Sequence, residues 1–306
     1  MHLKNTIILS GIASLVMLCS PMVSNIQTIN VNAKHIKSQH KVTKHAKKQV
    51  KLPDGVLRYH PENSFKYAAS NLSSENATDE VNIPTGYPFK FDNGKIDMPD
   101  NFNTKFIKES YQINKFHPKT SDVNEKVNTR SLTKSQQDEI TQYAANLINS
   151  ARHKISNNNA YTADLTLDDN TTNFTNDIVK KYNEDHWKSA YTDDVKGIND
   201  VTRNYGMFLC PYCLKNNIQN YDQVIHSKLK NVDSMAHVKE AFYGAICTML
   251  FNDDEYSWGR TDKLLSADFL NESNEGLGVG IDNMSKLHFV IVPHSYSKEY
   301  NNGEDN

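Results

Sequence analysis

Cys210-Pro211-Tyr212-Cys213 is the sharpest chemical motif in the chain. Two cysteines three positions apart can close a small disulfide ring, and thiolates in such motifs often titrate low. Oxidoreductases carry the pair after the first strand of a βαβ unit, whereas here it follows Gly206, which reads as a helix stop. Two readings stand: a structural disulfide, which an exported chain favours, and an exported thiol-disulfide oxidoreductase using Cys210 and Cys213. A zinc site would need Cys247 and a histidine such as His226 or His237 to complete four ligands. That spacing matches no zinc ladder, so no metal is expected. Cys247 sits beside Ile246 on an apolar stripe and reads as a small core residue.

His186-Trp187 and Trp258-Gly259-Arg260 hold both tryptophans of the chain, each where a helical pattern gives way to a loop. One reading is a shared polar cleft containing His186 and Trp258; the other is that each indole plugs an edge of the core. The chain has no Gly-x-Ser-x-Gly, no Gly-Lys-Ser/Thr and no Gly-x-Gly-x-x-Gly. Serine-hydrolase, P-loop and dinucleotide chemistry therefore have no signature here, and no cofactor is expected. Gly276-Leu-Gly278-Val-Gly280 lies in a strand pattern and predicts close backbone packing.

The elements that must position these residues begin at Ser131. Ile140, Tyr143, Ala144, Leu147, Ile148 and Ala151 form one helical stripe, with Thr133 and Gln136 spaced as a capping box. Phe174, Ile178, Val179 and Tyr182 mark a second helix. Val195, Ile198, Val201 and Tyr205 mark a third, closed by Gly206. Asp233 or Ser234 caps the most hydrophobic helix, which runs through Met235, Val238, Phe242, Ile246 and Leu250 to a stop at 252–254. Runs 277–281 and 287–292 around Asp282-Asn283 predict a terminal β-hairpin. Helices first and strands last, without βαβ alternation, predict an α+β domain over 130–296.

Outside that domain the chain is polar. It has 306 residues, 38% hydrophobic, which excludes a multi-span membrane protein. Residues 6–18 form an uncharged apolar run too short to span a bilayer but suited to a signal peptide. Val31-Asn32-Ala33 offers small residues for cleavage before Lys34, so 1–33 reads as the signal peptide. Leu18 before Cys19 is too bulky for a lipoprotein site. Removing 1–33 takes away one Lys and no acid, leaving 33 basic against 36 acidic groups. Lys34, Lys37, Lys41, Lys44, Lys47, Lys48 and Lys51 make 34–51 a basic arm of charge +7, expected to be disordered. The arm is either an adhesive for an anionic wall polymer or membrane surface, or a solvated spacer. Residues 52–129 predict a largely irregular lead-in, wrapping on the body near Pro84-Thr-Gly-Tyr-Pro88, and 297–306 a polar tail.

Taken together, Ser131-Leu-Thr-Lys-Ser-Gln, Tyr143-Ala-Ala-Asn-Leu-Ile-Asn-Ser-Ala-Arg152, Trp187, Asp194-Val-Lys-Gly-Ile198, Met249-Leu-Phe-Asn-Asp253, Trp258-Gly259 and the two final strands carry a resemblance. The chain resembles the surface exclusion domain of Gram-positive cell-surface proteins, a family similar to the CAP superfamily of cysteine-rich secretory and pathogenesis-related proteins. The resemblance implies an extracellular CAP-like α-β-α sandwich, with a cleft where two histidines and two acids can hold a divalent metal. In this chain the histidine positions carry Asp193 and Arg260, a carboxylate position carries Ile246, and the cysteine motif replaces a Gly-Glu-Asn-like segment. Without the imidazoles, and with an Arg that stays charged, the cleft is poorly suited to a cation. An ion pair between Asp193 and Arg260 is the expected replacement.

The sequence thus predicts an exported, non-enzymatic surface exclusion or adhesion protein with a degenerate CAP cleft. It would be held at the cell wall without covalent attachment, or secreted, since 301–306 carries neither a sorting motif nor an apolar tail. Its expected partners are an anionic envelope surface and another cell-surface protein, with no nucleic acid. A hydrolase in the same cleft would need a general base that the two substitutions remove.

Overall fold

A computed structural model describes residues 67, 69–87, 104–156, 163–189, 192–219, 221–226, 229, 233–253, 258–265 and 275–293. The signal peptide, the seven arm lysines and the C-terminal tail lie outside the described residues.

Every helix foreseen in the sequence forms, and each starts where its cap says. The first long one, α3 (Lys134–Ile155), opens on Thr133 with the full capping box: Thr133 Oγ1 accepts from Gln136 N, and Gln136 Oε1 accepts from Thr133 N, both at 3.2 Å. Its stripe of Ile140, Ala144, Leu147, Ile148 and Ala151 is at most 1% exposed. Asp168 caps α4 (Asp169–Glu184) and Asp194 caps α5 (Val195–Asn204), which Gly206 closes at φ +63°. Of the two candidates for the hydrophobic helix α7 (Met235–Phe251), Ser234 is the cap. Apart from His237, α7 is buried on every side, as a helix without a polar face must be. Short helices α6 (Pro211–Asn216) and α8 (Gly259–Leu265) fill the connections around it.

The predicted hairpin is β3 (Glu275–Ile281) paired antiparallel with β4 (Lys286–Pro293). Its turn is closed by Asp282 Oδ1, which accepts from the backbone N–H of Met284 and Lys286, each at 2.8 Å. Two strands that the sequence pattern did not announce complete the sheet in the order β1-β3-β4-β2. β1 (Leu165–Leu167) runs parallel to β3, and β2 (Asp222–His226) antiparallel to β4. One is three residues long and the other is half polar, too little for period-2 alternation to register.

Alternation along the hairpin sorts the layers. Leu277, Val279, Ile281, Leu287, Phe289 and Ile291 join α3 and α7 in the larger core, where Phe242 meets Phe289 edge-on at 5.3 Å. Val290 and Val292 join Phe174, Ile178, Tyr182, Ile198 and Val201 of α4 and α5 on the other face. The result is the expected α-β-α sandwich. On that second face β3 presents only Gly276, Gly278 and Gly280. A Cβ on any of them would overlap Thr171, Thr175 or Val179 of α4, so the glycines set how closely the helix lies on the sheet.

The lead-in departs from expectation, because the folded body begins well before residue 130. α1 (Thr104–Ile113) and α2 (Thr120–Asn124) lie against α7, and Ile107 and Tyr111 enter the larger core. Residues 72–87 form a strap across the same face. Val81 is fully buried, Asp79 accepts from Tyr143 Oη at 2.7 Å, and Tyr87 Oη donates to Leu250 O at 2.7 Å. Tyr87 N bonds Pro84 O at 3.1 Å across Gly86 at φ +81°, the wrap anticipated there. A strap that gains its order from distant partners has no periodicity of its own to read.

Candidate functional site

On the α4/α5 face, β4 alternates Lys286, His288, Val290 and Val292, so the apolar layer gives way to charge toward the hairpin turn. In the β2–β4 register Val224 faces His288, which sets Asp222, two residues along β2, diagonally beside the imidazole. His288 Nδ1 lies 2.8 Å from Asp222 Oδ2, and its Nε2 lies 3.8 Å from Asp282 Oδ2 at the hairpin turn. The ring stands edge-on to Tyr182 of α4, with centroids 4.6 Å apart.

Burial by itself would push the imidazole down, but the Asp222 carboxylate and then Asp282 outweigh it and lift His288 to about 9. Burial would raise Asp282, yet the His288 cation beside it holds it below the usual carboxylate range. Lys286 lies over the Tyr182 ring at 5.1 Å and donates to Trp187 O at 2.8 Å, with its ammonium shifted down chiefly by burial. At neutral pH His288 is thus a cation between two carboxylates.

Asp193 enters this cluster from the start of α5. Gln219 ties it in: its Nε2 donates to Asp193 Oδ2 at 3.3 Å and also to Asp222 O, while its Oε1 accepts from Asp222 N at 2.9 Å. Burial, and next the negative Asp222, push Asp193 up to about 6, against the pull of Gln219, His288 and Arg260. Next to it, Asp194 N donates to Tyr182 Oη at 2.9 Å, which fixes the α4–α5 corner.

Arg260 was expected to pair with Asp193 and instead pairs with Asp253. Its Nε and Nη2 each lie 2.6 Å from Asp253 Oδ1, and its backbone N lies 3.0 Å from Asp253 Oδ2. Asp253 lies two residues past the end of α7 and seven before Arg260, so the pair is local to the α7–α8 corner. Arg260 Nη1 also donates to Val224 O at 3.3 Å, bringing its charge near Asp193 without a direct ion pair between them. Burial raises Asp253 to about 6 despite the guanidinium.

The two tryptophan corners divide. Trp258 is 7% exposed at φ +62° and donates its backbone N–H to Asp253 O at 3.1 Å, so it plugs the edge of the core beside the Arg260 pair. His186 is exposed at φ +49°, the left-handed position that ends α4, with Trp187 N bonding back to Tyr182 O at 3.1 Å. His186 is therefore a helix stop; its place in a common cleft is not what the structure shows. Sequence reading missed His288 and Asp222. A histidine at an otherwise apolar strand position was the one available signal, and its partner lies on a strand with no pattern.

The cysteine motif also needs correction. Cys210, Cys213 and Cys247 are all buried, and the structure joins no two of them in a disulfide. Cys210 Sγ accepts the Cys213 N–H at 3.5 Å as the cap of α6, so the sulfur expected in a disulfide serves as a helix cap. The pair lies in a small cluster with Phe208, Tyr212 and Ile218, while Cys247 lies in the main core. The three thiols therefore share no site. No group of three or more His, Cys, Asp or Glu that could hold a metal ion occurs among the described residues.

No protein-family model and no curated protein matches the sequence. Among solved structures, the chain is similar to the CAP domain of Enterococcal PrgA, with a TM-score of 0.52 and 18% identity. The match covers 72% of this chain and 88% of that one. At that identity the likeness establishes the fold, a CAP-like sandwich of the kind the sequence resemblance implied.

Proposed function

We propose that the chain is an exported cell-surface protein of the surface exclusion type, acting by binding at the envelope and not by catalysis. The observation that carries this reading is the burial of the charged cluster. His288 and Asp222 are 0% exposed, and Arg260 is committed to Asp253 where the family resemblance implies a histidine. A general base must reach a substrate proton within hydrogen-bonding distance. An imidazole sealed between two carboxylates and held protonated offers no such base at neutral pH. Burial of Cys210 and Cys213 likewise speaks against the oxidoreductase alternative, which needs an accessible thiolate. No described helix is long and apolar enough to cross a membrane. Retention at the envelope is assigned to the basic arm and to surfaces of the folded body.

The test pairs retention with turnover. Protein added to Gram-positive cells should bind and be released by a few hundred millimolar salt. The same preparation should leave peptidoglycan fragments and casein uncut. Cleavage that is abolished by His288→Gln in a folded variant would overturn the non-catalytic reading.

A further inference from the structure

A cleft of about 400 Å³ opens on the β1 side of the sheet and reaches Gly280, the cross-strand partner of His288. It exists because β1 is short. Its register with β3 covers only Glu275, Gly276 and Leu277, so β3 has no strand partner on that side from Gly278 to Ile281 among the described residues. The loop before α3 and the outer face of α4 enclose this bare edge. Gln137 of α3 satisfies part of it by donating to Val279 O.

The lining mixes polar and apolar surface and carries no acid. It includes Arg130, Lys134, Gln137, Thr172, Asn173 and Asn176. Lys134 is shared with Asp138 and Asp169 at 2.7 and 3.1 Å, but Arg130 has no carboxylate partner among the described residues. Thr172 is 3% exposed, and its Oγ1 has no hydrogen-bond partner among the described residues. A buried hydroxyl left without a partner is costly, so one on the wall of a cleft points to a ligand that supplies it. Asn173 and Asn176 stand exposed on α4 and bring amide donors and acceptors to the same opening. Leu132 and Val179 supply apolar surface between them.

We infer that this cleft binds a small hydroxylated anion, a sugar acid or a polyol phosphate, with Arg130 on the anionic group and Thr172, Asn173 and Asn176 on the hydroxyls. A guanidinium matches the planar fork of a carboxylate or the oxygens of a phosphate, and amides beside a hydroxyl match vicinal alcohols. Both ligand types are repeat-unit chemistry of bacterial envelopes, so the inference rests on the envelope reading for its choice of ligand source. Binding itself is measured on purified protein, and its outcome is separate from whether cells retain the chain.

The experiment is an amide-shift titration of the isotopically labelled full chain with N-acetylmuramic acid and with glycerol 3-phosphate. N-acetylglucosamine and inorganic phosphate are the controls. Shifts confined to residues 129–137 and 172–176 with either anionic polyol, and weaker with both controls, support the site. The tighter of the two ligands identifies peptidoglycan or a polyol-phosphate polymer as the source. Arg130→Gln should weaken binding about tenfold. Thr172→Val, which keeps the shape, should weaken it about three- to tenfold. Spectra unchanged elsewhere show that both variants fold. No shift with either polyol, equal binding of inorganic phosphate or N-acetylglucosamine, or affinity untouched by both substitutions would overturn the proposal.

Discussion

His288 Nδ1 and Asp222 Oδ2 meet at 2.8 Å across two strands, with both side chains 0% exposed. The pair joins an edge strand, β2, to the interior strand β4 by charge where the neighbouring Val290 and Val292 do so by apolar contact.

That pairing sets the alkaline limit of stability. His288 titrates at about 9 in the fold against 6.5 as a free side chain. A histidine whose pKa is raised on folding contributes stability that is complete below 6.5 and is lost as pH climbs through 9. The groups facing it are Asp222, Asp282, Lys286, Asp193 and Tyr182, and the two nearest carboxylates supply the shift. Urea unfolding between pH 6.5 and 9.5 should show stability falling by a few kcal/mol. His288→Gln should flatten that slope and cost about 3–5 kcal/mol at pH 7, because it strands a buried Asp222. A pH-independent midpoint in the parent chain would refute the assignment.

Arg260 and Asp253 form the second buried pair, and a double-mutant cycle identifies the partner. Arg260→Ala leaves Asp253 without its cation at 0% side-chain exposure and should cost about 3–5 kcal/mol. Adding Asp253→Asn should recover part of that loss, with a coupling energy of about 0.5–3 kcal/mol. Adding Asp193→Ala in place of Asp253→Asn should recover much less. Equal recovery from both would restore the Asp193–Arg260 pair that the sequence suggested.

Gly278→Ala tests the spacing of α4 on the sheet. Its new methyl would overlap Thr175 Oγ1 and crowd Thr171 O, and overpacking of this kind costs about 1–3 kcal/mol. Gly259→Ala meets nothing within 4 Å and serves as the control, expected within about 0.5 kcal/mol of the parent. Chemical denaturation of the two variants side by side measures the difference.

Cys210, Cys213 and Cys247 should react slowly with a thiol reagent in the native protein and rapidly in denaturant. Burial, then the negative charge of Asp79, pushes Cys247 well above the usual thiol range. Mass mapping of alkylated peptides reads each position separately. Fast native labelling of Cys210 or Cys213 would revive the oxidoreductase reading.

What the sequence determined by itself is the part of the structure that depends on near neighbours. The α3 capping box, the apolar stripes of α3, α4 and α5, the Gly206 stop and the Asp282 turn all rest on residues within one or two turns of each other. Periodicity and caps report such contacts directly. Resemblance then supplied the sandwich architecture, which the fold bears out. Tertiary structure alone decided the rest. β1 and β2 are strands because β3 and β4 offer them edges, and the 72–87 strap is ordered because α3, α1 and α7 bond its polar groups. Partners in the buried cluster were likewise settled by geometry: Asp222 lies 66 residues from His288, and Arg260 chose the carboxylate that the α7–α8 corner carried to it. Charge pairing over such separations follows from where backbone elements stop, and no pattern of residue types along the chain records that distance.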